Sequence, residues 1–204
     1  MSSVRIPATR IERWVLNFNG RHGTTGLTVS DGALHGAASD GSTFTARLPF
    51  GDEYHGLPEA GAFSAEVTAP DAWGVLLVRK GGFAVARLAG ERIVESKVGQ
   101  RHVQGRTKAG GQSQQRFARR RDNQARQAFE AAAGHAVRIL GELPPAAAVV
   151  TGGDHTAVDE VLTDTRLGHL TVVEPWLPVP DPRRDVLEEA AREACAVPIE
   201  VRNA

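Results

Sequence analysis

Apolar positions recur along this chain at two spacings, and the spacing divides it into segments. In "ATRIERWVLNFNGRHG", Ile11, Trp14, Val15 and Phe18 fall at helical intervals, which predicts a short helix with Gly20 as its stop. "TGLTVSDGALHGAASDGSTFTARLPF" alternates and is dense in Gly, Ser and Asp, which predicts two or three short strands with tight turns. "GDEYHGLPEAG" reads as a loop. A second block opens near Ala62. "WGVLLVRKGG" and "FAVARLAGERIVESKVG" predict a run of strands, with hairpin turns at Gly81-Gly82 and Ala89-Gly90. "PPAAAVVTGG" is a short continuous apolar run and predicts a buried strand. "DHTAVDEVLTDTRLG" predicts a helix capped by Asp154 or Thr156 and stopped by Gly168. "HLTVVEPWLPV" is a strand. "DPRRDVLEEAAREACAV" is a helix with Val186, Leu187, Ala190, Ala191 and Ala194 on one face and Cys195 beside them as a small buried hydrophobe. Strand, helix, strand, helix implies a two- or three-layer α/β core with some parallel pairing. The expected division is a small α+β accessory region over 1–61 and an α/β domain over 62–204.

Between these blocks the pattern changes. From Gln114 to Leu140 there is no Pro, and Gly occurs only at Gly134, so the residues favour a helix of several turns. Its C-terminal half carries Ala125, Ala128, Phe129, Ala132, Ala136, Val137, Ile139 and Leu140, a stripe suited to packing on a sheet. Its N-terminal half carries Arg116, Arg119, Arg120, Arg121, Asp122 and Arg126 and is charged nearly all round. The expected picture, over about 104–140, is a helix anchored at one end and projecting at the other, with "KAGGQS" at the tip.

Charge sharpens that picture. The chain has 204 residues and no formal net charge, with 24 Lys or Arg against 24 Asp or Glu. Between Lys97 and Gln127, however, nine basic residues face one acid, Asp122, so the rest of the chain carries the compensating negative charge. Segregation of this kind points to a polyanionic partner for the basic segment. Phe117 is the one aromatic residue there, so phosphate contact outweighs base stacking. The hydrophobic content of 41% is enough for a core. No apolar run approaches a membrane span of about 18 residues, and the first residues carry charges without a signal-type apolar stretch. One cysteine forms no internal disulfide. These features lead to the expectation of a cytoplasmic protein with no membrane partner.

Gly110 and Gly111 give the tip its chemistry. Two adjacent glycines permit positive φ and close backbone approach to a ligand. They also present consecutive N–H groups at a helix start, where developing negative charge is favoured. Gln112 adds an amide that is donor and acceptor but has no useful pKa, so it orients water rather than taking a proton. Together these suit water attack on an activated ester, with backbone donors on the oxyanion. Gly110-Gly111-Gln112 matches the GGQ tripeptide of class-one translation release factors and sits, as theirs does, before a basic helix. Over roughly Ala72 to Val179 the arrangement resembles the Vms-like release factors (VLRF) in their bacterial, actinobacterial-type form. The resemblance implies an RNase H-like release-factor catalytic domain and a peptidyl-tRNA hydrolase of ribosome quality control. It further implies Gln112, Gly110 and Gly111 as catalytic residues. Arg106, Lys108, Arg116, Arg119, Arg120 and Arg121 would be contacts to rRNA and tRNA phosphates. The implied partners are the large ribosomal subunit and peptidyl-tRNA, not DNA, with no cofactor and no metal. The zinc-finger and ankyrin regions of the eukaryotic relatives are absent, as is an evident codon-reading domain. A binding module that uses the basic segment only as an anchor is the alternative.

Other features read more plainly. "VVTGGDHTAVDE" could cradle phosphate at a helix start, but it lacks the Lys-Ser/Thr of a P-loop and reads as a tight strand-to-helix turn. His22, His35, His55, His102, His135, His155 and His169 show no metal-ligand spacing. Asp154, Asp159, Glu160 and Asp164 form no evident carboxylate pair, so an RNase H-like sheet would serve as scaffold. Trp14, Trp73 and Trp176 are expected as core anchors.

Overall fold

A computed structural model describes residues 2–100 and 129–204. It is a mixed α/β structure with two five-stranded sheets. The chain divides into two units, residues 1–69 with 192–204, and residues 70–191. The expected boundary was between 61 and 62, with everything beyond it in one domain. The difference comes from the last strand, which hydrogen-bonds between two strands of the first unit.

The first unit holds an antiparallel sheet ordered β1-β10-β4-β3-β2. Its strands are β1 (Ser2–Ile6), β2 (Thr25–Ser30), β3 (Ala33–Ala38), β4 (Thr43–Arg47) and β10 (Val197–Arg202). Asp31 and Gly32 both have positive φ (48° and 67°) and close the two-residue turn between β2 and β3, which is the turn chemistry an Asp-Gly pair favours. Helix α1 (Ile11–His22) buries Ile11 and Phe18. It runs past Gly20, where the stop was expected, and ends at Gly23, whose φ is 89° and whose N–H bonds to the Asn19 carbonyl. The Phe44 ring meets Trp14 and Phe18 edge-on, both at 5.1 Å between centroids. Gly36 makes room for that ring, since a Cβ there would stand 2.1 Å from Phe44 Cε1. Within the expected loop, Tyr54 is fully buried against Phe63 of a short helix α2 (Ala60–Glu66) that the sequence pattern did not suggest.

The second unit is built on β5 (Trp73–Arg79), β6 (Gly82–Ala89), β7 (Arg92–Gln100), β8 (Ala148–Gly153) and β9 (Thr171–Leu177). The order is β7-β6-β5-β8-β9. The first three form an antiparallel meander, and β8 and β9 run parallel to β5. The hairpin turns fall at Lys80-Gly81 and Gly90-Glu91. Helix α3, helical over the described residues 129–140, buries Ala132, Ala136, Ile139 and Leu140. These pack with Ala157, Val158 and Val161 of α4 (His155–Leu162) on Leu76, Val78, Phe83 and Val85 of the sheet. From the opposite face, Arg184 Nη1 at the start of α5 (Arg184–Ala194) donates to Ser96 Oγ at 3.0 Å. Leu187, Ala190, Ala191 and Ala194 of α5 are buried as the sequence implied, and Val186 is half-buried. Cys195 lies one residue past the helix and is half-buried rather than buried on its face.

Trp73 is buried, with its indole N–H donating to the Gly90 carbonyl at 2.8 Å. Trp14 and Trp176 are half-buried against their cores.

Candidate functional site

Gly110, Gly111, Gln112, Arg106, Lys108, Arg116, Arg119, Arg120 and Arg121 lie outside the described residues, as do Ala125 and Ala128 of the expected apolar stripe. What the structure defines is how the chain enters and leaves that stretch. It enters from β7, an edge strand, and returns on α3, which packs on the same sheet.

The alternation of strand positions decides which side chains meet there. Phe83 pairs with Gly99, Val85 with Lys97 and Arg87 with Glu95, so these positions share one face of the β6–β7 hairpin. Gly99 has no side chain, and the Phe83 ring occupies the space. A Cβ at Gly99 would lie 2.3 Å from Phe83 Cε1. The Phe83 ring also stacks with the His135 imidazole of α3, with centroids 5.4 Å apart and planes 25° apart. One aromatic ring thus touches both Gly99, near the end of β7, and the second described turn of α3. Burial, then the Lys97 and Arg138 cations, hold the His135 imidazole below its ordinary value.

A chain of charges runs beside this stack. Arg138 Nη1 of α3 donates to Glu95 Oε1. Arg87 Nη2 stands 3.6 Å from Glu95 Oε2 and 2.8 Å from Glu142 Oε2, just past α3. The Arg138 guanidinium, followed by Arg87, holds the Glu95 carboxyl below the usual carboxylate range. Isolated surface pairs contribute little. Here Glu95 and Arg87 each serve two partners, so ordering one side chain supports two contacts. The network links α3 to β6 and β7. Sequence reading missed it because the partners are far apart along the chain, as with Glu95 and Arg138 at a separation of 43. A glycine inside a strand opposite an aromatic residue was the available signal for the Phe83 stack.

The turn after β8 is filled by packing rather than open to a ligand. A Cβ at Gly152 would lie 2.3 Å from the Leu177 carbonyl oxygen, and one at Gly153 2.3 Å from that of Val78. Asp154 is the N-cap, its Oδ1 accepting from the Ala157 N–H at 3.2 Å. A carboxylate already occupies the place an anion would take. Next to it, His155 stacks on Trp176 at 3.5 Å between centroids. Helix α4 stops at Leu162, short of Gly168. There Asp164 Oδ1 accepts from the Arg166 N–H and starts a separate 3₁₀ turn, Thr165–Leu167. Among the described residues, no group of three or more His, Cys, Asp or Glu could hold a metal ion. No helix among them is long and apolar enough to cross a membrane.

The sequence profile of the Actinobacteria/chloroflexi VLRF1 release factors matches residues 71–200. The chain belongs to that family. For this VLRF1 member the match covers nearly all of the second unit and extends into β10, and it spans the positions of Gly110, Gly111 and Gln112. No curated protein matches the chain. Among solved structures, the crystal structure of Archaeoglobus fulgidus Pelota is similar at 12% identity and a TM-score of 0.24. The alignment covers 94% of this chain, which spans 64% of the length of that one. That score is too low to decide the fold, which rests on the strand order above.

Proposed function

We propose that this chain hydrolyses the ester joining a stalled nascent peptide to tRNA on the large ribosomal subunit, in the cytoplasm. The observation that carries this reading is the position of Gly110-Gly111-Gln112. It lies inside the stretch that matches a release-factor family and inside the segment with nine basic residues against one acid. Gln112 orients a water molecule towards the ester carbonyl carbon. The water oxygen forms the new C–O bond, and backbone N–H groups at Gly110 and Gly111 stabilise the oxyanion. The bond to the ribose oxygen then breaks, one proton of the water passes to that oxygen and the other to solvent, and the peptide leaves as a carboxylate. Arg106, Lys108, Arg116, Arg119, Arg120 and Arg121 hold rRNA and tRNA phosphates.

In this reading the second unit is the catalytic domain, with an RNase H-like sheet as scaffold. The antiparallel meander β5–β7, with β8 and β9 parallel to its first strand, supports that description. Residues before it form an accessory region.

The test is release of labelled peptide from purified stalled large subunits. Gln112→Ala should bind the subunits as the parent does and release peptide about 10²–10³ times more slowly. Unaltered release would sink the catalytic assignment and leave a binding module. Replacing Arg119, Arg120 and Arg121 with Gln should weaken binding. It should also flatten the log–log salt dependence by about 0.7–0.9 for each phosphate that is no longer neutralised. Binding insensitive to salt in the parent would remove the anchor role as well.

A further inference from the structure

The contacts where the long basic segment leaves and rejoins the second unit follow a fixed order. On β7, Glu95 precedes Gly99; on α3, Arg138 follows His135. Gly99 meets His135 through the Phe83 ring, and Glu95 meets Arg138 directly. Arg87, opposite Glu95 on the hairpin, reaches Glu142 beyond α3. The chain therefore runs out along β7 and back along α3 in the opposite direction, and Gln112 lies in the stretch between. Among the described residues β7 pairs only with β6. The fully buried side chains of α3 nearest the segment are Ala132 and Ala136, with Phe129 half-buried, while Ile139 and Leu140 lie at its other end. Alanines fix the rotation of a helix on a sheet less sharply than interlocking large side chains. The direction of the returning helix thus depends on the Phe83 stack and on its polar contacts.

We propose that Glu95 is a positioning residue for Gln112, acting through Arg138 and Arg87 to fix the helix that carries the segment back to the sheet. This role rests on the reading of Gln112 as the residue that promotes peptide release. The carboxylate suits it because its two oxygens are divided. Oε1 accepts from Arg138 of α3, and Oε2 faces Arg87 of β6. Glu95 therefore joins the helix to the strand pair. Arg87 is committed to the same network: its Nε is buried without a hydrogen-bond partner, and its Nη2 stands 3.6 Å from Glu95 and 2.8 Å from Glu142. A guanidinium so placed loses part of its compensation when Glu95 is neutralised. Ion pairs this open to solvent add little stability, so the consequence is geometric. Displacing a reacting group by about 1 Å costs up to about 10²-fold in rate.

The test is single-turnover peptide release from stalled large subunits with the full chain in excess. It reads the rate constant at saturation and the concentration that half-saturates it. The saturating rate constant belongs to the bound complex, so a variant that is merely less stable does not change it. Arg138→Gln and Glu95→Gln should each lower that constant by about tenfold or more. Half-saturation should stay within about threefold, because the arginines assigned to RNA are untouched. The double variant should fall no further than the worse single one, as for residues that act as a unit. Arg138→Lys keeps the cation and should recover most of the rate. Arg166→Gln breaks the 2.7 Å Arg166–Asp164 pair in the turn after α4 and should release as the parent does. Parental rates in the Glu95 and Arg138 variants, additive losses, or an equal loss in the Arg166 variant would overturn the proposal. So would a change confined to half-saturation, which would make Arg138 an RNA contact instead. Gln112→Ala in the same assay tells this role from the reading it rests on. If that variant is slow and Arg138→Gln is not, the positioning role alone falls; if it releases as the parent does, both fall.

Discussion

The two sheets have the same number of strands and opposite burial. In the first, β2 alternates between half-buried and exposed positions along its whole length, and β4 does so with buried ones. Most of the buried positions lie on one face, and β2 and β4 advertise it by period two. In the second, six of the seven residues of β5 are buried in succession, and so are the first five of β6. Both faces are buried, one of them under α3 and α4, so alternation disappears. The difference bears on where each sheet can tolerate function. The second keeps its core in the middle strands and releases its long segment from the edge strand β7, where loss of pairing costs least. The first is thinner at its edge, and there a cavity opens beside β1.

Substitutions in the two cores should therefore act locally. The largest effect is expected at Leu140, which is fully buried and reaches into the space left by Gly74, its Cδ2 2.6 Å from where a Gly74 Cβ would stand. Leu140→Ala should cost about 2–5 kcal/mol, read as reduced amide protection in β5 and β8 with β3 and β4 little changed. A smaller effect is expected at Gly36 in the other sheet. An added methyl gains less than about 1 kcal/mol from the unfolded chain but meets the Phe44 ring, which Trp14 and Phe18 hold in place. Gly36→Ala should be net destabilising by about 1–3 kcal/mol, with the effect confined to the first sheet. If either substitution lowered protection equally in both sheets, the two units would be one cooperative body and the contrast would fail.

How far the sequence revealed this architecture depended on whether a signal was local. The β5–β6–β7 meander, the β8–α4 turn and α5 were legible because their spacing and turn residues lie within a few positions. β1 and β10 were not. "SSVRI" and "VPIEVR" are short, and each becomes a strand by pairing with the other from opposite ends of the chain. The end of α1 was misplaced by three residues because Gly20 and Gly23 both satisfy a glycine-stop rule. Only the bond from Gly23 N–H to Asn19 distinguishes them. At the candidate site the proposed chemistry rests on the sequence alone, on Gly110, Gly111 and Gln112 and the arginines around them, all outside the described residues. The Phe83–His135 stack and the Glu95 network were not legible in the sequence, because each joins α3 to strands that only the fold brings together.

The smallest effect sharpens the comparison at that junction, and it is one of pH. In the folded protein His135 is held below 6.5, its ordinary value, while the unfolded chain regains that value. Between the two values the unfolded chain binds more protons. Stability therefore falls as pH is lowered from about 6.5 through the native value, and levels off below it. His135→Phe keeps an aromatic partner for Phe83 and removes the titration. The difference in stability between parent and variant, measured by denaturant unfolding of the full chain, should be constant above pH 6.5 and shift in favour of the variant below it. The other histidines are common to both chains and cancel in the difference. A difference that stays flat across the acid range would mean that α3 is not seated on the hairpin through this ring, and the packed end of the segment would have to be sought in Ala132, Ala136 and Ile139 alone.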